Sequence, residues 1–429
     1  MDEQDPVLGA LASSFVNQQR QALGIVVGFV DSGGTKFASA GQFASDDNRQ
    51  PDEETIFEIG SVTKVFTAFL LAALAEDGVV DLRAPIRSHL SPEIVQKVQN
   101  IAELTLADLA THRSGLPNMP RSLSPPTLIG PFAEYSLHDL HNDLKDGVRV
   151  GKRRLYSNFS YAVLTYVLES VTGLGYDQLL NQYFTRKLLL KSTTLDPIGL
   201  LGLIPGHTAT FDPVPRWKFG LFVGSGGLYS TASDLAVVLR ALLGLEAAAP
   251  SFMVSPSEKV SPLGVGARAC WMFPSIHKNS VAWQAGKTGG YASFIGVDPT
   301  LKKGVVVLAN TALRHGIDEF GRLLLDQRAL HTTQNQHRHA SIRNFAVSQL
   351  VGKYGSANLK IEVSVVAGVL NVRFNNLETV PIPEVSGFRF YLSSLQAELT
   401  FHIGDGGDCY AVTLHHDGKN FLLPATRAL

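Results

Sequence analysis

From Val62 to Ala75 every residue is apolar except Thr63, Thr67 and Lys64. A helix with no polar face has to be buried on nearly every side. The spacing predicts such a helix over Ser61 to Glu76, with Gly78 placed to end it. An element of this kind lies inside a core, so the rest of the chain must be long and apolar enough to wrap it. With 429 residues, 45% hydrophobic and 17% charged, the chain meets that demand, and at about 100–200 residues per domain two units are expected. Lys64 is the anomaly in the helix, because desolvation works against an ammonium. Residues three apart share a helix face, and three before Lys64 stands Ser61. A serine beside a buried amine is a nucleophile with its activator; a structural lysine paired with a distant carboxylate is the alternative. Ser61 also begins the helix, where backbone N–H groups favour the negative charge of an acyl-transfer intermediate.

Around this helix the pattern is mixed. Leu8, Leu11, Phe15 and Val16 recur at helical spacing. Gly24 to Val30 and Phe37 to Gly41 then read as a hairpin about Asp31-Ser32-Gly33-Gly34. Ser32 to Lys36 lacks the spacing of a phosphate loop and fits a turn. From Ala102 to Gly244 helical stretches, such as Tyr161 to Thr172 and Ser233 to Leu245, alternate with loops. Trp283 to Gly289, Phe294 to Asp298 and Gly304 to Asn310 predict a second antiparallel hairpin, followed by a helix near Ile317 to Arg328. The polar run His331 to His339 is linker-like and leads into a short helix. Beyond it Leu359 to Val365, Val369 to Phe374, Gly387 to Leu392, Ala397 to Ile403 and Tyr410 to His415 read as short strands. The expected organisation is therefore an α+β domain over 1–333, an antiparallel sheet flanked by helices with a helical region inserted, then a small β-rich, barrel-like domain over 340–429.

Two further motifs complete the chemistry. Tyr156-Ser157-Asn158 stands just ahead of a helix, and Lys287-Thr288-Gly289 lies on a strand of the late hairpin. With Ser61-Val62-Thr63-Lys64 they reproduce, in order, the three-motif set of the penicillin-recognising serine hydrolases. The first 330 or so residues resemble the class C β-lactamase and D-Ala-D-Ala-peptidase family. Thr55 to Val65, Leu104 to Pro117 and Val305 to Asn310 are similar to it as well. The resemblance implies a β-lactamase/transpeptidase-like fold with Ser61 as the acylated nucleophile and Lys64 and Tyr156 as its acid–base partners. It further implies substrate-binding roles for Asn158, Lys287, Thr288 and Gly289, and an oxyanion hole from the backbone N–H groups of Ser61 and Gly290. The intact Lys287-Thr288-Gly289 favours a carboxylate-bearing acyl substrate. The segment Gly290-Tyr291-Ala292-Ser293-Phe294 is about three residues shorter than the loop usual in class C enzymes. A carboxylesterase or acyltransferase on the same scaffold, and a receptor or inactive relative that is acylated without turnover, are the competing functions.

Other readings are weaker or excluded. Ser275-Ile276-His277-Lys278 repeats the S-x-x-K spacing, but after Pro274 and without a buried helix it reads as surface. Gly224-Ser225-Gly226-Gly227 lacks the G-x-S-x-G spacing of a nucleophile elbow. His138, His141 and Asp143 fit a polar helix face better than a metal site, and no cofactor is implied. Cys270 and Cys409 read as free core thiols. Lys+Arg 37 against Asp+Glu 38 gives no positive field for nucleic acid. No apolar run approaches the roughly 18–20 residues of a membrane span. The expected partner is a small-molecule or peptide acyl substrate, with oligomeric state left open. The acidic start Met1-Asp2-Glu3-Gln4-Asp5 is unlike a secretory signal, so the chain either stays inside the cell or acts after a signal is removed.

Overall fold

The computed structural model describes residues 5–18, 22–97, 102–123, 130–145, 154–246, 249–254, 281–313 and 316–325, together with 350–355, 360–366, 369–374, 380–381, 384–386, 389–392, 397–403, 409–416 and 419–425. Among the described residues the chain divides into two compact units, the first up to Ile317 and the second from Asp318. His331 to His339 and the short helix expected after it, Ser275 to Lys278 and Cys270 lie outside the described residues.

The first unit is built on one antiparallel sheet. Strands β1 (Gly24–Asp31) and β2 (Gly34–Gly41) form the N-terminal hairpin, in which Gly33 N donates to Asp31 Oδ1 at 2.7 Å. The run Ser32 to Lys36 is thus turn and strand. Strands β3 (Ala282–Lys287), β4 (Ala292–Asp298) and β5 (Lys303–Ala309) form a meander, and the sheet order is β2-β1-β5-β4-β3. Two segments far apart in the chain are therefore joined edge to edge, Val27 opposite Val307 and Phe29 opposite Val305. Every residue of β4 and β5 is buried, the sign of a sheet covered on both faces. Helix α1 (Pro6–Ser13), capped by the Asp5 carboxylate, packs on β2. A helix spanning Ala232–Leu242 packs on β1 and β5.

Between the hairpins lies the expected helical insertion, and at its centre helix α2 (Thr63–Glu76). Apart from Ala72, Ala75 and Glu76 its residues are buried, Lys64 included. Gly78 takes a left-handed φ of +71° and Val79 N turns back to Leu74 O at 2.9 Å, which ends the helix where the sequence places its stop. Helix α3 (Asn158–Thr172) starts on the Ser157 hydroxyl, which accepts from Ser160 N at 2.9 Å, and stops at Gly173 in the left-handed region. Two short pieces depart from expectation. Ser61 sits in a separate 3₁₀ turn, Gly60–Val62, ahead of α2. The Lys287-Thr288-Gly289 triplet leaves the strand after Lys287, because Thr288 N donates to Tyr291 O at 3.0 Å and closes a turn.

The second unit carries strands in two consecutive sheets. The first comprises Gly352–Gly355, Lys360–Val366, Val369–Phe374 and Val380–Pro381; the second Glu384–Ser386, Arg389–Leu392, Ala397–Ile403, Cys409–His416 and Lys419–Pro424. Ile361 and Val363, Leu399 and Phe401, and Val412 and Leu414 share one apolar cluster, so alternate residues of both sheets face a common core. Half-buried Cys409 packs against it.

Because Leu70 is fully buried at the centre of α2, Leu70→Ala is expected to cost about 2–5 kcal/mol. Urea unfolding of the full chain measures it, and a cost below about 1 kcal/mol would contradict the central position of this helix.

Candidate active site

Ser61 is held in place by backbone on both sides. Ile59 N donates to Leu228 O at 3.0 Å, and Ile59 O accepts from the Ser293 hydroxyl of β4 at 2.7 Å. Gly60, at φ +48°, lies against the Lys287 backbone: a Cβ there would be 2.9 Å from Lys287 N. Across the gap Gly286 is as tight, since its Cβ would stand 2.2 Å from Ile59 O and 2.9 Å from Ser61 N. Two glycines facing each other let the serine turn and strand β3 approach main chain to main chain. This brings the first and third motifs together.

The second motif arrives through the start of α3. Tyr156 OH stands 2.8 Å from Ser61 Oγ. Lys64 Nζ, with no exposed surface, lies 3.1 Å from Ser61 Oγ, 2.7 Å from Asn158 Oδ1 and 2.6 Å from Ser225 O. The structure thus gathers Ser61, Lys64, Tyr156 and Asn158 into one hydrogen-bonded group, with Lys287 and the turn Thr288–Tyr291 beside the Ser61 turn.

Four participants escaped the sequence reading. Ser225 belongs to the Gly-Ser-Gly-Gly run dismissed as an elbow; it contributes a carbonyl, which no side-chain pattern reports. Its neighbour Gly224 has no room for a side chain, as a Cβ would meet Thr165 Oγ1 at 2.1 Å. Asn118 accepts from Asn158 Nδ2 at 2.9 Å, while its carbonyl takes the N–H groups of Asn158 and Phe159 at 3.0 and 3.1 Å. His112, buried and at φ +59°, accepts from Ser157 N on Nδ1 and lies with its ring centroid 4.7 Å from that of Tyr156. Burial, then the charges of Lys64 and Arg154, hold it well below the usual imidazole range, and its ring lies tilted against that of the tyrosine. The signal for Asn118 and His112 was their place in or beside the Leu104 to Pro117 segment. The fourth, Glu58, is buried three residues before Ser61, and desolvation raises it to about 7 against the hydrogen bonds it accepts.

Asp143 accepts from Tyr135 OH at 2.8 Å and from Ser122 N at 3.2 Å, which places it in a side-chain network of its own helix and the preceding loop. Among the described residues no helix is long and apolar enough to cross a membrane.

The Beta-lactamase family model matches residues 11–329. The chain belongs to the beta-lactamase family. It is similar to the D-alanyl-D-alanine-carboxypeptidase/endopeptidase AmpH of Escherichia coli K12, 28% identical over 225 residues, covering 50% of this chain and 56% of that one. The chain spans little more than half the length of the curated relatives it matches first, 54% and 56%. In fold it is similar to a class C β-lactamase from Rhodobacter sphaeroides, with TM-score 0.62 and 23% identity over 77% of this chain and 99% of that one. It is also similar to the octameric penicillin-binding protein homologue from Pyrococcus abyssi, with TM-score 0.64 and 22% identity over 99% of this chain and 100% of that one.

Two outcomes follow. Gly286→Ala forces the strand off the Ser61 turn and is expected to lower kcat/KM by about 100-fold or more, while circular dichroism reports a retained fold; activity within about threefold of wild type would contradict the close approach. Glu58, raised from 4.5 to about 7, keeps in the folded state a proton that the unfolded chain has already released over that interval. Stability should therefore fall as pH rises from 4.5 to 7, by on the order of 3 kcal/mol from this residue. Glu58→Gln should flatten that part of the pH profile in urea titrations.

Proposed function

We propose that the chain is a serine acyl hydrolase of class C type, which opens a β-lactam or D-Ala-type amide bond through an acyl-enzyme on Ser61. The observation that carries this reading is the pair of contacts on Ser61 Oγ, from Tyr156 OH at 2.8 Å and Lys64 Nζ at 3.1 Å. Asn158 Oδ1 and Ser225 O only accept, so Lys64 gives each one hydrogen. What Nζ turns toward Ser61 is then a lone pair in the amine or the third hydrogen in the ammonium. In the first arrangement Ser61 passes its proton to Lys64 and accepts from the Tyr156 phenol. In the second it passes its proton to a Tyr156 phenolate and accepts from Lys64. The two differ by one proton exchanged between Lys64 and Tyr156, so the pair works as one base. His112, kept neutral, leaves that proton where it is.

Ser61 Oγ bonds to the acyl carbon as the carbonyl electrons move to oxygen, and Ser61 N and Gly290 N stabilise the oxyanion. The C–N bond breaks as Tyr156 delivers the proton to nitrogen. Water then attacks the ester, gives its proton to Tyr156, and Ser61 leaves reprotonated. Asn158 Nδ2, whose second hydrogen meets among the described residues nothing stronger than the Met119 sulfur at 3.9 Å, donates to the substrate's amide oxygen. Lys287 and Thr288 receive the substrate carboxylate, with Gly289 giving close access to the backbone. The carboxypeptidase name of the Escherichia coli relative and the class C fold neighbour both support this substrate class.

The test is intact-protein mass after mixing with a chromogenic cephalosporin, followed beside absorbance. An adduct on the wild type that is lost in Ser61→Ala is expected; turnover surviving in Ser61→Ala would overturn the site. No adduct and no turnover, with short-chain esters cleaved instead, would replace the reading by a carboxylesterase. Lys287→Ala should reduce kcat/KM for carboxylate-bearing substrates about tenfold more than for neutral esters; equal loss on both would refute its role.

A further inference from the structure

The mechanism leaves Glu58, a buried carboxyl group, unused. Glu58 lies in a two-residue strand, Phe57–Glu58, paired with Tyr229–Ser230, and is 3% exposed. Its Oε1 accepts from Trp217 N at 3.0 Å and from Tyr229 OH at 3.3 Å. Its Oε2 is buried with no hydrogen-bond partner among the described residues. The Thr288 hydroxyl is likewise buried without one, yet it stands close enough to Glu58 to favour the ionised carboxylate. The residue held by Oε1 also touches the third motif: a Cβ on Gly289 would lie 2.3 Å from Trp217 Nε1. Glu58 therefore meets the Lys-Thr-Gly segment twice, through Thr288 and through the loop that walls Gly289.

We propose that Glu58 is a positioning residue for the anion-receiving side of the site, and that its protonation decides whether the Thr288 hydroxyl is offered to a substrate carboxylate. The inference rests on the reading above that Lys287 and Thr288 receive that carboxylate. A hydroxyl has one hydrogen to give. Protonated, Glu58 donates to Thr288 Oγ1 and leaves the threonine hydrogen for the substrate. Ionised, Glu58 accepts that hydrogen itself and sets a negative charge behind the place where the substrate's own charge must sit. Capture of carboxylate-bearing substrates is therefore favoured below about pH 7 and falls above it, the midpoint being where burial places Glu58.

The groups that face Glu58 are Arg216 and Trp217 of one loop, Tyr229 of the paired strand, and Thr288 and Tyr291 of the turn after β3. Burial first, and then the charge of Glu58, raise both phenols, so Tyr229 and Tyr291 remain donors through neutral pH. Arg216 is a fixed cation.

The experiment compares kcat/KM for a chromogenic acyl thioester bearing a free carboxylate with that for its methyl ester, on the full chain from pH 5.5 to 8.5. Titration of Lys64 and Tyr156 acts on both substrates and cancels in the ratio. In the wild type the ratio should fall about fivefold or more between pH 6 and pH 8, and in Glu58→Gln it should be flat. Tyr229→Phe removes one donor from the carboxylate and should move the midpoint upward, which keeps the test open should Glu58→Gln fold poorly. A flat wild-type ratio, a wild-type slope in Glu58→Gln, or an unmoved midpoint in Tyr229→Phe would overturn the proposal. Lys287→Ala separates the two levels. If it damages both substrates equally, the carboxylate reading itself has failed; if it is selective while Glu58→Gln keeps the slope, only the role of Glu58 has.

Discussion

A lysine nitrogen with no exposed surface needs acceptors, and the partners of Lys64 come from distant parts of the chain. Asn158 lies 94 residues away and Ser225 161. Holding one amine thus fixes the start of α3, the short helix Val223–Gly226 and the serine turn relative to one another. The sheet adds the fourth direction, because strand β3 can reach Ser61 only where Gly60 and Gly286 leave room. Helix α2 is apolar all round because it is the post to which these segments are tied, with the chemistry at its buried end.

The same dependence decides what the sequence discloses. Side-chain identities were legible: Ser61, Lys64, Tyr156 and Asn158 are drawn from motifs, and they meet. The α+β sheet was legible too, since β1, β2 and the late meander carry β-branched runs between turn residues, and a chain folding back twice leaves few ways to pair them. What could not be read is supplied by main chain or by conformation. Ser225 acts through its carbonyl, His112 through a left-handed backbone and a tilted ring contact, and Asn118 through a loop whose path only the fold defines. Expecting Thr288 and Gly289 on a strand failed for a related reason: the Thr288 to Tyr291 hydrogen bond turns the chain one residue after Lys287. In the second unit Gly352–Gly355, Val380–Pro381, Glu384–Ser386 and Lys419–Pro424 are strands beyond those expected, pieces too short or too polar to show alternation.

Glu58 illustrates a further limit. It sits in the quoted Thr55 to Val65 segment, where a glutamate three residues before a nucleophile looks like surface charge. Burial gives it its character, and burial there follows from the pairing of Phe57–Glu58 with Tyr229–Ser230. A carboxyl group whose proton is lost near neutrality is a poor stabiliser of the fold. Its position between Trp217 and Thr288 gives it work in the site instead.

The contact of Gly60 and Gly286 has one more consequence. Where the floor of a site is main chain against main chain, point substitution cannot reshape it, since a side chain added at Gly286 collides with Ile59 O and Ser61 N, and one added at Gly60 with the Lys287 backbone. Variation in what this scaffold accepts is then confined to the side chains standing around that floor, Trp217, Tyr291 and Asn118 among them. New specificities in such a lineage should arise by exchanging walls over an unchanging base.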